Sequence, residues 1–245
     1  MKNKIKASLS VLVGISALAG ISLHATPATV TENGLGSSDG VSVNSSTLGD
    51  NLNTSAGTIK LAVTQGAQTS NVIGFCIDPW NFSSGSPLTY SIVAVANAPQ
   101  TEGPMGAGAA TQIGQLWAQY MTSAYALSST ASTADAWATA LQLEIWQTVA
   151  NSITNPAYTY SLNSVANNYP GEAAAVASDE AAMATFLTNN PNAVTADLEA
   201  LDSPTAQDYV IADLTPSVPD SGSIAGLVAV GMLGLLVFNK RMRLA

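Results

Sequence analysis

The chain has very few of the residues on which most catalytic and cross-linking chemistry depends. It contains one cysteine, Cys76, and one histidine, His24, among 245 residues. A single cysteine excludes an internal disulfide. Because His24 lies in an N-terminal segment that we expect to be removed, the mature protein lacks the residues for a Ser-His-Asp or Cys-His mechanism and for a His or Cys metal cage.

Basic residues are equally scarce away from the two chain ends. Six of the seven Lys and Arg lie in the first six or the last six residues, which leaves only Lys60 between them. All 16 acidic residues fall between Glu32 and Asp220, so sixteen carboxylates and one lysine give that stretch a formal charge of −15. Such a surface repels phosphate backbones and anionic membranes. We therefore expect no nucleic-acid partner.

The N-terminus has the order of a secretory signal. Three lysines within the first six residues precede an apolar segment at residues 7–23, and Ala25 supplies the small residue before a cleavage site. This pattern predicts a Sec signal peptide at residues 1–25 and export of a chain that begins near Thr26.

The C-terminus carries a second apolar segment, residues 224–238, followed by a basic tail at residues 239–245. As a helix this segment rises about 22 Å, which is short of the ~30 Å hydrocarbon core. The positive charge on its far side predicts that the tail stays in the cytoplasm while the preceding chain is exported. We expect a single membrane helix that is a weak permanent anchor.

A Pro-containing pentapeptide, the short apolar helix and the basic end follow one another in the last thirty residues. Together they resemble the VPDSG-type branch of the PEP-CTERM sorting signals, which exosortases process in Gram-negative bacteria that make extracellular polymer. The resemblance implies transit through the inner membrane, cleavage near the motif by a transpeptidase-like exosortase, and a final location at the cell surface or in the extracellular matrix. An ordinary tail anchor is the alternative. The sorting motif would consist of Val218, Pro219, Asp220, Ser221 and Gly222.

Hydrophobic periodicity predicts one surface domain at residues 58–212. Strands are predicted at residues 59–63 and 71–78, which form a hairpin, and at residues 87–95, where apolar and small polar residues alternate. Residues 26–57 are polar and rich in Gly, Ser, Asn and Thr, which predicts a flexible N-terminal segment in which only Val41 and Val43 hint at a strand. Residues 213–223 are the linker that carries the sorting motif.

The period changes to that of helices after residue 108. Helical spacing predicts helices at residues 109–126 and 172–187, and a helix between them that begins at Thr133 or Asp135. We therefore expect an α+β domain in which two to three helices pack on an antiparallel β-sandwich or barrel. Further strands are predicted at residues 158–162 and 207–212, and the middle helix has Trp137, Leu141, Ile145 and Val149 on one face.

A cysteine motif and a glutamine motif stand out within the predicted domain. Cys76 lies in a predicted strand, and Gln142 lies 66 positions further along in a predicted helix. Together they resemble the thioester domains of bacterial surface adhesins, in which a strand-end cysteine condenses with the glutamine of a Gln-x-x-Ile-Trp-like helix. The resemblance implies that Cys76 supplies the thioester sulfur and Gln142 the acyl group. The hydrophobic neighbours in the two motifs are Phe75, Ile145 and Trp146.

Such a reaction needs the thiol and the carboxamide to be held together, which can supply effective molarities of about 10⁵ to 10⁸ M. It also needs protection from water, for which Phe75, Trp80 and Trp146 are the expected shield. An amine or hydroxyl on a surface or polymer would displace Cys76 and stay bound to Gln142. The protein would then be a single-use anchor without cofactor, and not an enzyme that turns over.

Other interpretations remain open at the level of sequence. Cys76 and the apolar residues near Gln142 are also typical of a protein core, in which case the chain is a structural or polysaccharide-binding matrix protein without a reactive site. Asp78 and Glu144 are a weaker candidate for a glycosidase pair. No metal site is predicted, because the oxygen-rich residues 50–53 lack the spacing of an EF-hand.

Overall fold

The computed structural model describes residues 25–83, 87–121, 131–166 and 171–214, with backbone only at residues 131–133. The sorting motif, the membrane helix, the basic tail and all but the last residue of the predicted signal peptide lie outside these residues. Within the described ranges, no helix is both long enough and apolar enough to cross a membrane.

The described residues form an α+β fold with seven strands and three α-helices, which confirms the predicted class at this level. The strands are β1 (Thr26–Ser45), β2 (Gly49–Gln65), β3 (Gln68–Cys76), β4 (Leu88–Ala94), β5 (Tyr160–Val165), β6 (Leu198–Asp202) and β7 (Tyr209–Ala212). The helices are α1 (Gly106–Tyr120), α2 (Ala131–Ser152) and α3 (Glu172–Asn189), and a short 3₁₀ turn (Val95–Asn97) follows β4.

All seven strands belong to one antiparallel sheet in the order β2-β3-β7-β6-β4-β1-β5. The sheet also closes on itself, because β1 pairs with β2 as well as with β4. The long first strand makes this possible. Its start pairs with β4 at residues 88–92, and its end pairs with β5 at residues 160–165.

The prediction of a flexible segment at residues 26–57 is wrong, since these residues form β1 and the first half of β2. Small buried side chains alternate with polar ones along β1, as at Ala28 and Val30 and again at Val41 and Val43. A strand that turns one face to the core needs an apolar residue only at every second position. Its overall composition can therefore be polar although its position is fixed.

The predicted hairpin at residues 59–78 is confirmed by β2 and β3, which pair antiparallel from Ile59 with Gly74 to Gln65 with Gln68. The strand predicted at residues 87–95 corresponds to β4, and the strand predicted at residues 207–212 contains β7. The sequence patterns did not indicate β6. This strand is only five residues long and lies between β4 and β7 in the sheet.

Helix α2 is the central helix of the domain, since it packs against β1, β2, α1 and α3. Leu141, Ile145 and Val149 are fully buried, as the helical spacing predicts, whereas Trp137 is half-buried and stacks on Tyr120 with ring centroids 5.3 Å apart. The opposite faces are buried too, through several alanines and three buried polar residues, Thr139, Gln142 and Thr148. A helix enclosed in this way has its polar side chains held in fixed positions.

The first predicted helix, residues 109–126, corresponds to α1 at Gly106–Tyr120, and its last predicted residues fall outside the described ranges. Helix α2 begins at residue 131, earlier than predicted, and α3 extends the prediction of 172–187 by two residues. Helix α3 packs on α2, and α1 packs on the 3₁₀ turn and on α2. The helices cover α2, whose other side lies on β1 and β2.

Candidate functional site

Cys76 is the last residue of β3, and Gln142 lies in the middle of α2. The structure brings these two predicted residues into direct contact. The Cys76 backbone N–H donates to Oε1 of Gln142 at 2.9 Å, and Nε2 of Gln142 donates to the Cys76 carbonyl at 2.7 Å. The carboxamide therefore pairs with the backbone N–H and carbonyl of Cys76, as a neighbouring strand would.

The end of β3 holds the thiol in a fixed backbone environment. The Asp78 backbone N–H donates to the Cys76 sulfur at 3.2 Å, and the thiol donates to the Asp78 carbonyl at the same distance. Both Cys76 and Gln142 are 1% exposed. The next residue along the chain, Ile77, is tied to the neighbouring segment by its N–H, which donates to the Asp208 carbonyl.

Burial raises the pKa of the Cys76 thiol well above its ordinary value, and the carboxylates of Asp78 and Asp208 raise it further because they disfavour a second negative charge. The buried indole N–H of Trp146 faces the sulfur, outside the strict geometry of a hydrogen bond, and lowers the pKa of the thiol. The resting sulfur is therefore a protonated thiol.

A cavity of about 340 Å³ lies beside the contact, and both Cys76 and Gln142 line it. Trp146 forms part of the wall, and the exposed Phe82 lies at the rim. Glu32 is the one ionisable side chain in the lining besides the thiol of Cys76. Its Oε2 accepts hydrogen bonds from the hydroxyls of Tyr209 and Ser83.

The other predicted motif residues have different roles. Phe75 points to the helices and packs edge-to-face on Trp117 at 5.7 Å, and Ile145 is fully buried in the core. Trp80 donates from its indole to the Thr159 carbonyl at 3.0 Å. Of the three aromatic residues expected to shield the thiol, Trp146 alone lines the cavity.

Much of the cavity is built by residues that the sequence patterns placed in a flexible segment. The lining includes Glu32, Val43, Leu52 and Thr54, all from β1 and β2. The alternation of Ala28 and Val30 was the available signal, because a period of two places Glu32 on the same face.

Asp78 and Glu144, the candidate glycosidase pair, belong to two separate groups of carboxylates. Asp78 lies with Glu102 and Asp208, each with an oxygen within 4.8 Å of the other two. Glu144 lies on α2 next to Glu180 of α3, and it raises the pKa of Glu180.

Comparison of the chain with protein-family models, with curated proteins and with solved structures gave no match.

Proposed function

We propose that this protein is an exported surface or matrix protein that attaches covalently to its target through an internal thioester between Cys76 and Gln142. The observation that carries the proposal is the double hydrogen bond between the Gln142 carboxamide and the Cys76 backbone. It holds the acyl carbon next to the residue that supplies the sulfur. An attack on an unreactive amide requires the sulfur and the acyl carbon to be held together, and this backbone contact supports such an arrangement.

Formation of the thioester joins Sγ of Cys76 to Cδ of Gln142 and breaks the bond from Cδ to Nε2. The nitrogen leaves as ammonia, and the thiol proton goes with it, so no other reactant is needed. The Cys76 N–H already lies 2.9 Å from Oε1, where negative charge develops during the attack. A backbone donor fixed in a dry site stabilises such an oxyanion strongly.

In the attachment step the thiol is the leaving group. A nucleophile entering the cavity attacks Cδ, the bond from Cδ to Sγ breaks, and Cys76 regains a thiol by taking the proton that the nucleophile loses. Glu32 in the cavity wall favours an amine, since an ammonium group is attracted to a carboxylate. The product is an amide of Gln142, which is permanent, so each molecule reacts once.

The same proposal includes the route to the surface. Residues 1–25 direct the chain into the export pathway, residues 224–238 hold it in the inner membrane, and an exosortase acts near Val218 to Gly222. The support is the order of these segments in the sequence. The acidic exported portion, with Lys60 as its one basic residue, fits a protein that meets cationic or neutral polymers.

The test is the intact mass of the full-length chain purified in detergent without added amines. We expect a mass that is lower by one ammonia, and methylamine should convert it to an adduct on Gln142 with a free thiol at Cys76. Cys76→Ala and Gln142→Ala should both have the unmodified mass. Peptide fragmentation would locate the adduct.

Gln115 supplies a matched control. It is a second buried glutamine on a helix, and its Nε2 donates to the Pro191 carbonyl at 3.1 Å. Gln115→Ala should keep the ammonia deficit. An unmodified mass in the wild-type protein would reject the thioester and leave Gln142 as a core residue, with a non-covalent matrix protein as the function to pursue.

A further inference from the structure

Three loops of the domain bring buried carboxylates to one point next to the end of β3. Asp78 follows β3, Glu102 lies between β4 and α1, and Asp208 immediately precedes β7. One oxygen from each lies within 4.8 Å of the other two. Their exposed fractions are 0%, 3% and 1%, so water does not screen them from each other.

Glu102 provides a second and separate observation. One of its oxygens accepts from Nδ2 of Asn81 at 2.8 Å, but Oε2 is buried and has no hydrogen-bond partner among the described residues. Native proteins rarely leave a buried acceptor in this state. A ligand that accepts electron pairs from oxygen would satisfy it.

Within the described ranges, the three carboxylates have no basic residue beside them to neutralise their charge. Lys60 is the only Lys or Arg in the described part of the chain, and it is exposed on β2. Protons or a bound cation must therefore compensate the charge.

The chemistry of the donors favours a hard cation. Zinc sites in proteins usually contain nitrogen or sulfur ligands, whereas calcium is bound by carboxylate oxygens at about 2.3 to 2.6 Å. Oxygens up to 4.8 Å apart can be ligands of one ion at that distance. The geometry points to a divalent-cation site, of the kind that binds Ca²⁺, formed by Asp78, Glu102 and Asp208. Such an ion would clamp the three loops together.

The cation site does not depend on the thioester, and it is tested by calcium binding and thermal stability instead of by intact mass. The full-length chain is purified in detergent, stripped of metal with a chelator and titrated with Ca²⁺ by calorimetry and thermal unfolding. We expect saturable heat and a rise in Tm. Glu102→Gln and Asp208→Asn should each raise the Tm of the calcium-free protein, because they relieve repulsion, and each should abolish the response to Ca²⁺.

Glu180→Gln is the matched control, because it also removes one carboxylate from beside another, but Glu180 lies on α3 next to Glu144. It should keep the full calcium response. If calcium gives no saturable binding to the wild-type protein, or if the Tm shift persists in Glu102→Gln and Asp208→Asn, the site is rejected and protons compensate the charge.

A measurement on folded wild-type protein covers the case in which a variant does not fold. Trp80 lies two residues from Asp78, and its backbone N–H donates to Oδ1 of Asp78 at 3.0 Å. Tb³⁺ bound at the site should emit when tryptophan is excited, and Ca²⁺ should displace it. Absence of a displaceable emission would overturn the proposal.

Discussion

Gln142 and Gln115 are both buried glutamines on helices, but their side-chain amides have different hydrogen-bond partners. Nε2 of Gln115 lies within hydrogen-bond distance of three carbonyls, those of Asn190, Pro191 and Ala193, and so ties α1 to the loop after α3. Gln142 places both ends of its amide on the backbone of the residue that carries the only thiol. Composition and burial do not distinguish the two glutamines. The partner of each amide does.

Thr139 is a residue whose polar group stabilises the fold and lies outside the cavity. Its hydroxyl accepts from the Asp39 N–H and donates to the Ala56 carbonyl, both at 3.0 Å. Thr139→Val keeps the shape but removes both hydrogen bonds from a buried site. We expect a loss of about 1 to 3 kcal/mol in the free energy of unfolding, measured with urea.

The control for this substitution is Thr111→Val on α1. The Thr111 hydroxyl is exposed and donates to the Ala107 carbonyl within its own helix. A surface change of this kind should stay within about 0.5 kcal/mol. Equal effects of the two valine substitutions would show that the hydroxyl of Thr139 does not stabilise the contact between α2 and the sheet.

At the scale of elements, the β1 to β2 pair contains an irregularity that requires glycine. The register shifts between Leu35 and Ser38, and Gly57, which pairs with Ser38, has a φ of +150°. A Cβ at Gly57 would lie 2.3 Å from the Ser37 carbonyl oxygen. Gly57→Ala should therefore destabilise the protein by about 1 to 3 kcal/mol in urea unfolding.

Gly108 in α1 is the matched control, because a Cβ there would meet no atom within 4 Å. Alanine is the better helix former, so Gly108→Ala should be neutral or stabilising by up to about 1 kcal/mol. A Gly57→Ala variant as stable as the wild-type protein would contradict the strained register.

The contact between α2 and α3 predicts a pH dependence. Burial raises the pKa of Glu180 to about 7, and the nearby Glu144 raises it further. Glu180 in turn raises the pKa of Tyr160, the other titratable group next to it. Because the folded pKa exceeds that of the unfolded chain, the stabilisation is complete at low pH and is lost as the pH rises through about 7.

Glu180→Gln removes this titration. Urea unfolding at pH 5 and pH 8 should therefore show that the variant gains stability relative to the wild-type protein as the pH rises. Glu144→Gln should also gain stability relative to the wild-type protein as the pH rises, since it removes the neighbouring like charge. A difference between variant and wild type that stays constant across this pH range would contradict the raised pKa.

For the whole molecule, the segment from Val218 to the C-terminus is predicted to determine where the protein is located. A chain that ends before Val218 should be exported and recovered in the growth medium, because it lacks the predicted membrane helix and sorting motif. Fractionation of cells and medium with an antibody to the domain would measure this. Replacing only the five motif residues is the control, and it should leave the protein held in the inner membrane. Retention of the truncated chain on the cell would reject the sorting signal.

Elements with a strong local pattern can be predicted from the sequence, whereas elements that depend on distant pairing cannot. The β2 to β3 hairpin, β4 and the helices have strong periodicity, and the structure confirms each of them. The length of strand β1 was missed, apart from the hint at Val41 and Val43, because half of its residues face away from the core and are polar. Strand β6 was missed because five residues carry little periodic signal, and its position is set by pairing with β4 and β7.

The sequence by itself determined the charge of the chain, the order of its targeting segments and the two motifs that contain Cys76 and Gln142. Only the tertiary structure decided that these two residues touch, that β1 and β2 build much of the cavity, and that Asp78, Glu102 and Asp208 converge. The physical reason is the range of the interactions. Composition and periodicity are local, whereas a site is made by side chains far apart in the chain that one closed sheet and one enclosed helix bring together.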